Sequence, residues 1–125
     1  MKLQQSQVPN PGQEVCSDGS VRMPGGLPGT AGFVRLNGAG NLEIEFFDFS
    51  EQAQLSFGND VVTTYTIAHK DLAKLVAELA LPESPTDGFH DLPRLFAKQF
   101  SGVMTLINAI KASGIRVKTS FDSWA

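Results

Sequence analysis

Between Asn41 and Leu81 the apolar residues change their spacing, recurring first at every second position and then at every third or fourth. That switch limits this stretch to strands followed by a helix, because side chains alternate across a strand and recur about every 3.6 residues around a helix. Leu42, Ile44 and Phe46 share one face of the first strand, Leu42 to Phe49, and Glu43 and Glu45 share the other. Phe47 and Phe49 then fall on the glutamate face, which requires either a bulge or a strand end covered on both sides. Val61 to Ile67 is rich in β-branched residues and reads as a second strand. The turn Gly58-Asn59-Asp60 precedes it, and Ser50 to Ala53 suits one helical turn. Leu72, Leu75, Val76 and Leu79 then predict a helix over 70–81, closed by Pro82.

The flanking segments complete the pattern. Phe33 to Leu36 is a short strand, joined to Leu42 by Asn37-Gly38-Ala39-Gly40-Asn41, a hairpin-turn composition. Asp91 is the expected N-cap of a helix with Pro93 in its first turn and Leu92, Leu95, Phe96 and Phe100 inward. Ser101-Gly102 either ends that helix or kinks it, before a helix burying Val103, Leu106, Ile107 and Ile110 and stopping at Gly114. Ile115 to Phe121 alternates as a final strand, with Ile115, Val117 and Phe121 inward and Arg116, Lys118 and Ser120 in solvent. The order is β-β-β-α-α-α-β. It predicts an α+β fold, with helices packed on one face of a mostly antiparallel four-stranded sheet.

Residues 1–31 read as a flexible tail. Pro9, Pro11, Pro24, Pro28 and five glycines leave too little apolar surface to offset the entropy of ordering, and Val21-Arg22-Met23 is the one strand-like run there. Residues 32–125 form the expected single domain. One cysteine, Cys16, allows no internal disulfide and fits a reducing cytoplasm, and no apolar run is long enough to cross a membrane. A net charge of -3 argues against duplex nucleic acid as partner, although Lys98, Lys111, Arg116 and Lys118 gather in the last quarter of the chain.

No chemistry-bearing motif stands out. His69 and His90, with Asp71 and Asp91 near them, lack a spacing that puts two metal ligands on one helical face. No serine sits in a nucleophile elbow, Cys16 has no fixed neighbour to activate it, and Gly25-Gly26 and Gly38-Ala39-Gly40 lack a phosphate-loop context. The densest acidic run is Glu43, Glu45, Asp48 and Glu51. It reads as a solvated sheet face, as an acidic patch for a basic partner, or as a carboxylate pair for acid/base chemistry. Most aromatic residues read as core, since the aromatic-rich strand carries glutamates where a base-stacking platform needs cations. Trp124 either pins the last strand or protrudes as an anchor for a partner.

Phe46-Phe47-Asp48-Phe49-Ser50, then Phe57-Gly58, Thr66-Ile67 leading into Asp71-Leu72 and Leu75, and finally Gly114-Ile115 and Trp124 resemble a pattern in small bacterial proteins. Some of these resemble immunity proteins of polymorphic toxin systems, including contact-dependent growth inhibition. The resemblance spans about residues 42–124 and carries no catalytic position. It implies a cytoplasmic inhibitor that meets a cognate toxin domain, often a basic nuclease, through an acidic surface. The expectation is therefore a non-enzymatic protein-binding module without a cofactor, using Glu43, Glu45, Asp48, Glu51 and Trp124. The alternative is a nucleic-acid-associated protein using Lys98, Lys111, Arg116 and Lys118, and a small hydrolase or isomerase built on the acidic run is a third. Oligomeric state is left open, since either outer strand could extend the sheet into a second copy.

Overall fold

The computed structural model describes residues 20–49 and 60–124. Five strands, β1 (Val21–Pro24), β2 (Thr30–Leu36), β3 (Leu42–Asp48), β4 (Asp60–Ile67) and β5 (Lys118–Trp124), form one sheet in sequence order. Every neighbouring pair is antiparallel. Three helices, α1 (Leu72–Leu79), α2 (Leu92–Gln99) and α3 (Val103–Ala112), lie between β4 and β5 in the chain. The fold is α+β as expected, with one strand more than the sequence indicated.

The added strand, β1, lies within the span read as a flexible tail. Val21 and Met23 are buried and pair with Val34 and Gly32, while Arg22 and Pro24 are exposed. Two large apolar side chains suffice here because β2 and α2 supply the rest of the surface they bury. A composition average over thirty residues dilutes such a signal. Residues 1–19 and 50–59, with Cys16, Glu51 and the helical turn expected at 50–53, lie outside the described residues.

Register fixes the two faces. Val34, Ile44 and Tyr65 lie in one row across the sheet and Leu42 and Ile67 in another, and all five are buried with Leu72, Leu75, Leu92, Phe96, Leu106, Ile107 and Ile110 from the helices. β3 pairs without interruption from Leu42 to Asp48 on both sides, so no bulge re-aims Phe47. Instead Val62, which pairs with Phe47 on the face away from the helices, is itself buried, and the sheet is covered on both sides at that end.

Gly32 seats α3. A Cβ there would lie 2.1 Å from Val103 Cγ2 and 2.8 Å from the carbonyl oxygen of Glu45, so only glycine lets the first turn of the helix approach β2 this closely. Met104 N–H donates to Gly25 O at 3.2 Å and ties the same turn to the β1–β2 connection.

The helix boundaries differ from the spacing-based ones in physically readable ways. α1 begins after a single 3₁₀ turn, His69–Asp71, and ends where Ala80 takes a left-handed conformation with φ 51°. Asp91 does not cap α2 through its side chain; Asp91 Oδ1 accepts from the backbone N–H and the hydroxyl of Thr86, bracing the preceding loop. Phe100 is extended, with φ -110° and ψ 140°, so α2 and α3 are separate helices and not one kinked helix.

The last strand starts three residues later than expected. Gly114, at φ 81°, turns the chain out of α3. Ile115 then plugs the end of the core at 7% exposure and Val117 packs beside it. The chain has crossed to the open edge of β4 only at Lys118, opposite Thr66. Phe121, expected inward, is 49% exposed because α2 and α3 sit over β1 and β2 and leave the β5 side of the sheet less covered.

Candidate functional site

Two surfaces bring polar groups together: the outer sheet face and a cleft at one end of the sheet. On the outer face, the β2–β3 hairpin sets Arg35 opposite Glu43 and Phe33 opposite Glu45. Cross-strand neighbours on one face are the natural partners in a sheet. Arg35 Nε donates to Glu43 Oε1 at 2.8 Å, Nη2 reaches the same oxygen at 2.7 Å, and Nη1 lies 3.4 Å from Glu45 Oε1. Asn37 Nδ2 donates to the other carboxylate oxygen of Glu43 at 3.0 Å.

The same asparagine shapes the hairpin. Asn37 Oδ1 accepts from the backbone N–H groups of Ala39 and Asn41 at 2.9 and 3.0 Å, so the turn presents its amide to Glu43. The Asn37 bond, helped by Arg35 and opposed by partial burial, holds the Glu43 carboxyl below the usual carboxylate range.

This network changes the meaning of the acidic run. Glu43 and Glu45, with side chains 19% and 22% exposed, share one arginine. Asp48 lies opposite Val61, on the other face of the sheet from the two glutamates. Glu51 is outside the described residues, and of Trp124 only the strand position opposite Asp60 is described. The expected acidic quartet is therefore not one surface; two of its members meet on the outer face and a cation sits between them.

Beside the charged ladder the outer face is aromatic. Phe33 meets Phe47 edge to face at 5.6 Å between centroids, and Phe49 stacks on Phe47 at 5.8 Å. Phe49 is 50% exposed, one of the three most exposed large apolar residues described. Its backbone N–H donates to Gly29 O at 2.8 Å, so the half-exposed ring is held on a fixed main chain.

The four basic residues expected to form a C-terminal face do not stay together. Lys98 pairs with Glu83 across a small concavity of about 140 Å³ lined by Leu81, Pro82, Leu95 and Gln99. Lys111 lies over the Tyr65 ring, 5.5 Å from its centroid. Only Arg116 and Lys118 share a site, and there Lys70 and Lys74 join them. These two adjoining concavities, about 310 and 350 Å³, share Lys70, Asp71 and Arg116 in their walls. Lys74, Gly114 and Ile115 complete the first; Asn41, Thr66, Ala68 and Lys118 complete the second. Lys70 and Lys74 were overlooked in the sequence, although their four-residue separation at a helix start was a visible signal.

His69 stitches this end of the sheet. Its backbone N–H donates to Asn41 Oδ1 at 2.9 Å, its Nδ1 lies 3.1 Å from Gly40 O, and its ring meets Phe89 edge-on at 5.8 Å. These contacts join the β2–β3 turn to the entry of α1. Among the described residues no three His, Cys, Asp or Glu side chains gather as metal ligands, and no helix is long and apolar enough to cross a membrane. No family model, curated protein or solved structure matches this chain.

Proposed function

We propose that this chain is a non-enzymatic, cytoplasmic protein-binding module whose partner seats on the outer face of the sheet around Phe49. The supporting observation is the half-exposed Phe49 ring, stacked on Phe47 and bordered by the Arg35, Glu43 and Glu45 ladder. Protein interfaces are enriched in this combination of aromatic side chains and arginine, with anchors at the centre and polar groups around them. In its specific form the reading is an immunity-type inhibitor of a basic toxin domain. Arg35 already engages both glutamates, so the aromatics anchor the partner and the glutamates contribute orientation.

A photo-crosslinking phenylalanine analogue placed at position 49, and at exposed Glu78 on α1 as a control, tests this in the native host. The expected result is one protein captured from position 49 and not from 78, with capture lost in a Phe33→Ser background of unchanged melting temperature. Equal capture from both positions, or none from 49, would overturn the reading.

A further inference from the structure

We propose that the basic cleft between the end of β4, the start of α1 and the segment after α3 binds a diphosphate group. The four cations in its walls, Lys70, Lys74, Arg116 and Lys118, are exposed, and among the described residues none of them forms an ion pair. Two cations outside the cleft are paired: Arg35 holds two glutamates and Lys98 holds Glu83. With 13 carboxylate side chains against 10 Lys and Arg, counter-charges are not scarce. Concentrating four cations around one carboxylate, Asp71, works against the stability of the empty protein, since like charges in a shared concavity repel. An anionic ligand reverses that sign.

The geometry favours two phosphoryl groups over one. Each concavity contributes one cation of its own, Lys74 on one side and Lys118 on the other, with Lys70 and Arg116 shared between them. Arg116 can grip phosphate oxygens in a planar fork, whereas the lysines act as point charges. Asn41 Oδ1 is occupied by the His69 N–H at 2.9 Å, so the amide NH₂ is the group Asn41 can offer a ligand, and Thr66 lines the same half of the cleft. Among the described residues no aromatic ring lines either half, so the cleft recognises a ligand by its phosphates and not by stacking on a base. The same chemistry is offered by a free diphosphate compound and by consecutive phosphates of a nucleic-acid strand.

Titration calorimetry of the full chain with inorganic pyrophosphate tests the site, with orthophosphate and a single-stranded oligonucleotide as comparison ligands. The expected result is saturable one-to-one binding of pyrophosphate, roughly tenfold tighter than orthophosphate and weakening as salt is raised. Arg116→Gln with Lys70→Gln should abolish it with the melting temperature preserved, and Lys98→Gln should leave it intact. Affinity for the oligonucleotide no greater than for pyrophosphate marks a free diphosphate as the source; affinity that grows with strand length marks nucleic acid. Absence of saturable pyrophosphate binding, or binding that survives the double substitution, would overturn the proposal.

Discussion

Gly32→Ala is the sharpest test of how the helices sit on the sheet. The new methyl group would come 2.1 Å from Val103 Cγ2, where ordinary contacts begin at 3.4 Å, and 2.8 Å from Glu45 O, a main-chain atom held in the β3 ladder. Val103 is fully buried at the first position of α3, so it cannot rotate into solvent. Relief therefore requires the helix start to retreat by over an ångström, which also stretches the Met104 to Gly25 hydrogen bond. Overpacking of this kind costs about 1–3 kcal/mol, and the gain from replacing glycine inside a strand returns only about 0.5–1. With a backbone atom as one of the obstacles, a net loss of about 2 kcal/mol is expected, or a fall in Tm of roughly 8–16 °C for a domain of this size. Thermal melts followed by circular dichroism measure it directly. Val103→Ala alone leaves a cavity that costs about 2 kcal/mol. In the double variant the alanine methyl occupies part of that space, so the two losses should fall short of additivity by about 1 kcal/mol. Strict additivity, or an unchanged Tm for Gly32→Ala, would show that α3 does not bear on Gly32.

Further expectations concern single groups. Tyr65 is the one tyrosine of the chain, and burial pushes its phenol above the ordinary 10.0; ultraviolet titration of the folded protein should find its midpoint above that value, and a midpoint at or below 10.0 would contradict its packing. Because the Glu43 carboxyl is lowered in the folded state, its contribution to stability is complete above its ordinary value of 4.5 and is lost as pH falls through the lowered one. Asn37→Ala should flatten that acid limb in urea melts run at several pH values, and an unaltered limb would discount the bond. Ala80 holds φ 51°, whereas Gly114 holds φ 81° with open space where a Cβ would go. Ala80→Gly should therefore stabilise slightly and Gly114→Ala should destabilise by about 1 kcal/mol, both read from Tm.

What the sequence disclosed follows from where its signals are local. The β2–β3 hairpin, the period of β3 and β4, and the apolar stripes of the helices are all written within a few residues, and the structure keeps them. β1 was missed because Val21 and Met23 gain their burial from distant partners, β2 and α2, amid glycine and proline. Ile115 and Val117 alternate as a strand would, yet fill the gap between the end of α3 and the core. The charged faces were less legible still. A run of glutamates shows its own charge and not the Arg35 that register sets opposite it. Nor does proximity in sequence connect Lys70 and Lys74 with Arg116 and Lys118; the return of the chain to β4 does that.

That return has a kinetic consequence. β1 to β4 form a meander in which each strand meets the next across a connection short enough for early hairpin closure, whereas β5 must wait until residues 68–117 have been laid down as helices. Closing so long a loop is the slow, entropically opposed step, and an edge strand held by one neighbour opens more readily than the strands between two. Lys118 stands at the start of that strand and Arg116 just before it, so half of the basic cleft is assembled late and opens before the centre of the sheet. Amide exchange in β5 would then proceed through openings smaller than global unfolding, and an anion bound in the cleft would slow it there more than in β2 or β3.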